Sequence, residues 1–200
     1  MKLKHLADIA MGHSFRSRLE QVEDGGMAVI QMKDLTEDNR LNASAMAHID
    51  LAEVKARQYV EPNDILFRSR GQTNTAVLIT GDVGVAVIAA PLLRVRPNET
   101  ILPAYLAWFI NLPVSQAWLA TQAKGTAVSM ISKQSLAGLD VVVPSIERQR
   151  TIVQLAELAE EEQRLLRDLA SKRKRYVNGI LMEIAIGAKK MNRNHFHRTG

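Results

Sequence analysis

Two periodicities divide the chain. As far as Pro97, apolar residues come in short runs bounded by Gly, Pro, Asn and Asp, the pattern of strands joined by turns. Met27–Met32 follows Gly25-Gly26. Ile65-Leu66-Phe67 follows the turn triplet Pro62-Asn63-Asp64. Thr75–Ile79 and Val83–Ala90 flank Gly81-Asp82, which predicts a hairpin. Leu92–Arg96 alternates and stops at Pro97. The period then lengthens. Pro103 opens a helix through Leu106, Phe109 and Ile110, because the first helical turn does not need the N–H that proline lacks. Pro113 opens another through Trp118 and Gln122, closing at Gly125. Ser132 suits the N-cap of a short helical turn ending near Gly138, and Leu139–Pro144 reads as a last strand.

From Ser145 the composition turns to Glu, Arg, Leu, Ala and Ile, and no proline follows. Apolar residues recur at three- and four-residue steps through Ile152, Leu155, Ala159, Leu166, Leu169, Tyr176 and Ile180. This predicts one helix of roughly 40 residues, about 60 Å long at the standard rise. The expected class is α+β: a mixed domain over residues 1–144, a long helix over 145–187, and a basic polar tail over 188–200 expected to be disordered.

Charge refines this division. Residues 1–144 carry 14 Lys+Arg against 14 Asp+Glu, and residues 145–200 carry 12 against 7, so the second part supplies the whole net charge of +5. The domain is no general polyanion binder. If it takes nucleic acid, it must do so through local patches. Absence of Cys excludes disulfides and thiolate metal sites and suits a reducing cytoplasm. No apolar run is long enough to span a membrane, and the start Met1-Lys2-Leu3-Lys4-His5-Leu6-Ala7-Asp8 does not read as a signal peptide.

No catalytic constellation emerges. None of His5, His13, His48, His195 and His197 has a metal-ligand spacing to a carboxylate, no glycine-rich phosphate loop is present, and neither a cofactor nor a metal is expected. What remains is a set of cationic, amide and hydroxyl residues in expected loops: Arg16 and Arg18 after Gly12, then Arg68, Arg70, Gln72 and Asn74, then Lys124, Gly125, Thr126, Ser129 and Lys133. Arginine pairs bidentately with guanine, and asparagine or glutamine with adenine. Lysine and backbone N–H groups beside glycine suit phosphate.

The chain resembles the specificity subunits of type I restriction–modification systems. The resemblance is carried above all by Ile131–Val153, a short helix, a strand ending at Pro144, and Glu147-Arg148-Gln149 leading into Ile152-Val153. Ser145 and Arg148 stand where the family commonly has Pro and Glu. Weaker matches are Leu6–Ala10 before Gly12, Ile30–Leu35, Pro62–Phe67 with Gly71, and Tyr105-Leu106 through Gly125-Thr126. The resemblance implies a target recognition domain that reads half of a bipartite DNA site, and a helix that separates two such domains and docks methylation subunits. Methylation of adenine and DNA cleavage would belong to partner methylation and restriction subunits, so the chain itself is expected to be non-catalytic. One domain and one helix imply a half-subunit. The alternative is a stand-alone DNA-binding regulator, or a decoy that occupies methylation subunits.

The helix permits a register test. Ile152, Ala159, Leu166, Arg173 and Ile180 fall at one heptad position; Leu155, Glu162, Leu169, Tyr176 and Glu183 fall at the other. In an antiparallel pair of identical helices, Leu166 opposite Leu169 places Leu155 against Ile180, Ala159 against Tyr176 and Glu162 against Arg173. A parallel pair would stack acid on acid and base on base. An antiparallel coiled-coil homodimer is therefore expected, fraying where Ile152 would meet Glu183.

Overall fold

The computed structural model describes residues 1–15, 26–50, 54, 58–71, 74–123 and 130–187. The chain divides into two compact units, Met1–Gln154 and Leu155–Gly200. The first is built on two sheets. The larger has strand order β1 (Ala7–Met11), β7 (Leu92–Pro97), β4 (Ile65–Arg68) and β5 (Ala76–Leu78), all antiparallel. The smaller places β2 (Met27–Ile30) between β3 (Ala47–Ile49), antiparallel, and β6 (Ala86–Ile88), parallel.

Strand alternation sorts the side chains into layers, because successive residues point to opposite faces. Ile65 and Phe67 of β4, with Leu93 and Val95 of β7, join the core under helices α1 (Pro103–Asn111), α2 (Pro113–Gln122) and α3 (Lys133–Ala137). Leu66 and Leu92, one residue out of step, face the other way and pack with Ala28, Ile30, Ala86 and Ile88 of the smaller sheet. Val29 and Val87 then point to the far side with Ile49. The larger sheet is thus covered on both faces.

The hairpin expected across Gly81-Asp82 does not form. β5 pairs with β4 in one sheet and β6 pairs with β2 in the other, so residues 79–85 cross between sheets. Both segments are apolar on both faces, and a run without alternation does not identify its partner. The expected strand Leu139–Pro144 is reduced to a bridge between Lys2 and Asp140, flanked by bonds between the backbones of Leu3 and Leu139 and of Val141 and Met1. Ser132 does cap α3, accepting from the Ser135 N–H at 3.0 Å. Gly12 explains itself by space: a Cβ there would lie 2.6 Å from the Ala89 carbonyl carbon.

Helix α4 runs unbroken over Ile146–Ile186. Its first two turns belong to the first unit, since Ile152 and Val153 pack against the core and Gln149 is fully buried. Gln149 accepts from the Leu102 N–H at 2.8 Å and donates to the Pro144 carbonyl at 2.9 Å. Its amide therefore serves the start of α1 and the entry to α4 together. Gln149→Ala removes both bonds and leaves the N–H of the half-buried Leu102 without that acceptor, an expected loss of about 2 kcal/mol, readable as a lower urea midpoint at constant slope.

Candidate nucleic-acid interface

Three connections converge on the end of β4. The Arg68 N–H donates to the Thr75 carbonyl at 2.9 Å, and the Asn74 side-chain amide donates to the Arg68 carbonyl at 2.9 Å. These bonds close the loop that follows the strand. Gly71 sits inside it at φ +120°, a conformation L side chains rarely adopt. The Ile131 N–H donates to the Ser69 carbonyl at 2.7 Å, and Arg70 bridges to Met130. The segment from α2 to α3 therefore ends beside Arg70, and Lys133 opens α3 three residues beyond Met130. The third connection follows β2. Its backbone carbonyls at Leu35 and Thr36 both accept from one Arg68 guanidinium nitrogen, the latter at 3.0 Å.

The structure thus gathers Arg68, Arg70 and Asn74, with Lys133 on the segment that pairs there. Arg70 and Lys133 are exposed. Arg68 is half-buried and bound to backbone. Burial pushes its guanidinium below the usual arginine value, with the Glu37 carboxylate opposing. Arg16, Arg18, Gln72, Lys124, Gly125, Thr126 and Ser129 lie outside the described residues.

Sequence reasoning missed the side chains that hold this edge in place. Asn111, the last residue of α1, both accepts from and donates to the backbone of Ala76, each at 2.8 Å, closing the free edge of β5. The Gln116 amide donates to the Asn74 and Ile110 carbonyls at 2.9 and 2.8 Å. Half-buried amides that serve backbone carry no periodicity that would announce them.

A second charged cluster is structural. Arg94 and Asp64 are almost wholly buried. Arg94 donates to Asp8 at 2.6 Å, and Arg96 grips Asp64 through Nε and Nη2 at 2.7 and 2.8 Å while reaching Glu61 at 2.7 Å. The side-chain hydrogen bond to Asp64 is the main cause holding the Arg96 pKa above its usual value. These two arginines are committed to carboxylates and do not join the group at the end of β4.

The model of the family described as the type I restriction modification DNA specificity domain matches residues 1–157. The chain belongs to that family. The chain is 32% identical over 102 residues to the EcoBI type I restriction enzyme specificity subunit of Escherichia coli, a stretch covering 50% of this chain and 21% of that protein. Its fold is shared with the HsdS subunit of Thermoanaerobacter tengcongensis, at a TM-score of 0.64 and 19% identity, covering 91% of this chain and 43% of that one. A chain solved in work on assembly and conformational transition of the type I R-M system gives 0.67 at 20% identity, covering 91% and 44%. The S subunit from M. genitalium gives 0.55 at 11%, covering 92% and 44%. The chain spans about a fifth of the curated relative and under half of each structural neighbour.

The second unit presents an uncovered apolar stripe. Leu155, Leu166, Leu169 and Tyr176 are more than half exposed, and Ile180 is 38% exposed. Leu158 and Leu165, each one residue before an expected seam position, are exposed as well and widen the stripe. Glu161 pairs along the helix with Arg164 at 2.8 Å, an exposed contact of little weight. Ile152, expected at the seam, is partly covered by the core of its own domain. No helix among the described residues is long and apolar enough to cross a membrane.

Proposed function

We propose that this chain supplies sequence recognition to a type I restriction–modification complex. The observation that carries this reading is the convergence of Arg70, Asn74 and the segment leading to Lys133 on one end of β4, in a domain of a DNA specificity family. Arginine and amide side chains suit major-groove edges. Lys133 in the first turn of α3 suits a phosphate. Methyl transfer to adenine and DNA cleavage are the work of partner methylation and restriction subunits.

The long helix makes the second half of the site. Two copies paired antiparallel present two identical domains, so the target is an inverted repeat with an unspecified spacer. The uncovered stripe, and the opposition of Glu157–Glu162 to Lys172–Arg175 in that register, support this pairing.

The test is the methylome of cells carrying the chain with a cognate methylation subunit, read against cells lacking the chain. A new adenine mark in an inverted bipartite repeat is expected. A non-symmetric mark would keep the recognition role and replace the homodimer by a mixed pair. No new mark, where the two proteins demonstrably associate, would leave the blocking role instead. In binding assays, Arg70→Ala is expected to weaken the specific duplex about 10-fold, in the range of one base contact. Lys133→Ala is expected to lower the slope of log affinity against log salt by about 1. Equal losses on specific and random duplex for Arg70→Ala would remove it as a base reader.

A further inference from the structure

The turn after β2 belongs to the same edge and has the construction of a recognition element. Its base is the bridge between Leu35 and Leu41. Within it the Thr36 N–H donates to the Arg40 carbonyl at 2.8 Å, the Arg40 N–H donates to Thr36 Oγ1 at 3.1 Å, and the Asn39 N–H donates to the Thr36 carbonyl at 3.2 Å. Asn39 takes φ 55°, a left-handed conformation that asparagine tolerates better than most residues. Below it, the buried Asp34 accepts from the Gln31 N–H at 2.8 Å, and its carbonyl accepts from the Asn42 N–H at 2.8 Å. The turn is therefore fixed in shape, and Arg40 stands exposed on it.

Arg68 fastens this turn to β4. One guanidinium nitrogen holds the Leu35 and Thr36 carbonyls, while Nε is buried without a partner. Reading guanine takes two guanidinium donors presented side by side to O6 and N7. Arg68 cannot present that fork without releasing the turn. A second approach ties the same segments: the Met32 methyl carbon lies 3.9 Å from where a Cβ on Gly71 would be.

We propose that Arg68 is a positioning residue rather than a base reader, and that by locking the Thr36–Arg40 turn beside Arg70 it makes Arg40 a further DNA-contacting side chain. This rests on the DNA-recognition reading above. A preformed turn loses less conformational freedom on binding than a loop ordered by its ligand, which gives the half-buried arginine its use. Its geometry sets where Arg40 arrives relative to Arg70.

The test uses the full chain and three variants, Arg68→Met, Arg68→Lys and Arg40→Ala, with two readouts. Amide hydrogen exchange over residues 35–41 is expected to speed at least 10-fold in Arg68→Met. Arg68→Lys, which keeps a donor, should recover part of the protection, and Arg40→Ala should leave it intact. Methylation profiling with a cognate methylation subunit is expected to show Arg68→Met loosening preference at the base pairs loosened by Arg40→Ala. Unchanged exchange in Arg68→Met overturns the positioning role. Relaxation by Arg68→Met at one base pair that Arg40→Ala leaves intact would make Arg68 a direct reader. If wild-type protein directs no methylation, the recognition reading falls and the Arg40 contact falls with it. The exchange comparison still decides whether Arg68 holds the turn.

Discussion

Asp64→Ala is expected to destabilise the domain by about 3–5 kcal/mol, the cost of removing one partner from a buried ion pair. Asp64 is 1% exposed and carries four contacts. It accepts twice from Arg96 and once from the Glu61 N–H at 2.8 Å, and its Oδ1 lies 4.0 Å from Nη1 of the buried Arg94. Among the described residues, alanine would leave Arg94 with Asp8 as its carboxylate partner, whose side chain is 65% exposed. The turn at Glu61 would also lose its side-chain cap. For a domain of this size such a loss lowers the melting temperature by roughly 6–20 °C, readable by calorimetry. Asp64→Asn keeps an acceptor for the Glu61 N–H and removes the charge, so it should fall between wild type and Asp64→Ala. A loss below about 1 kcal/mol in both variants would mean that water or Glu61 compensates the arginines.

The same residue shows what was legible in the sequence. Pro62-Asn63-Asp64 reads as a turn because Asn and Asp accept such backbones, and Asn63 does adopt φ 74°. That Asp64 also neutralises two arginines from β7 depends on register, since β4 lies against β7 with Ile65 opposite Val95. Register is not written in either segment alone. The long helix and the helices opened by Pro103 and Pro113 were legible because local rules specify them. The strand β3 and the 79–85 crossover were not, because strands of three residues do not name a partner. At the candidate interface, residue chemistry pointed to Arg68 and Arg70 alike and could not tell that Arg68 is half-buried and bound to backbone while Arg70 is exposed. The difference between them is burial against Leu35 and Thr36, a contact between residues 33 and 32 positions apart.

Leu166→Lys combined with Leu169→Lys is expected to abolish the proposed antiparallel homodimer while leaving the domain folded. In the antiparallel register each leucine meets the other across the axis, so the two changes remove four apolar side chains from the centre of the seam. Burial contributes about 1.5–3 kcal/mol for each fully enclosed leucine, an upper figure because the free chain already shields part of that surface. Four lysines at the crossing add like-charge repulsion. The dissociation constant should rise by well over 100-fold, since each 1.4 kcal/mol is a factor of ten. Both leucines are exposed in the single chain, so the melting of the first unit at Met1–Gln154 should not move. Sedimentation velocity at micromolar concentration reads the association, and circular dichroism reads the fold. A complementary pair of variants separates charge from burial. Changing Glu160, Glu161 and Glu162 to Lys should weaken association, and changing Lys172, Arg173 and Lys174 to Glu in the other copy should restore it, because the antiparallel register sets these segments side by side. A wild-type chain that sediments as a monomer at that concentration removes the homodimer. Weakening by the lysines at 160–162 that the acidic partner fails to rescue would keep the dimer and reject the antiparallel register.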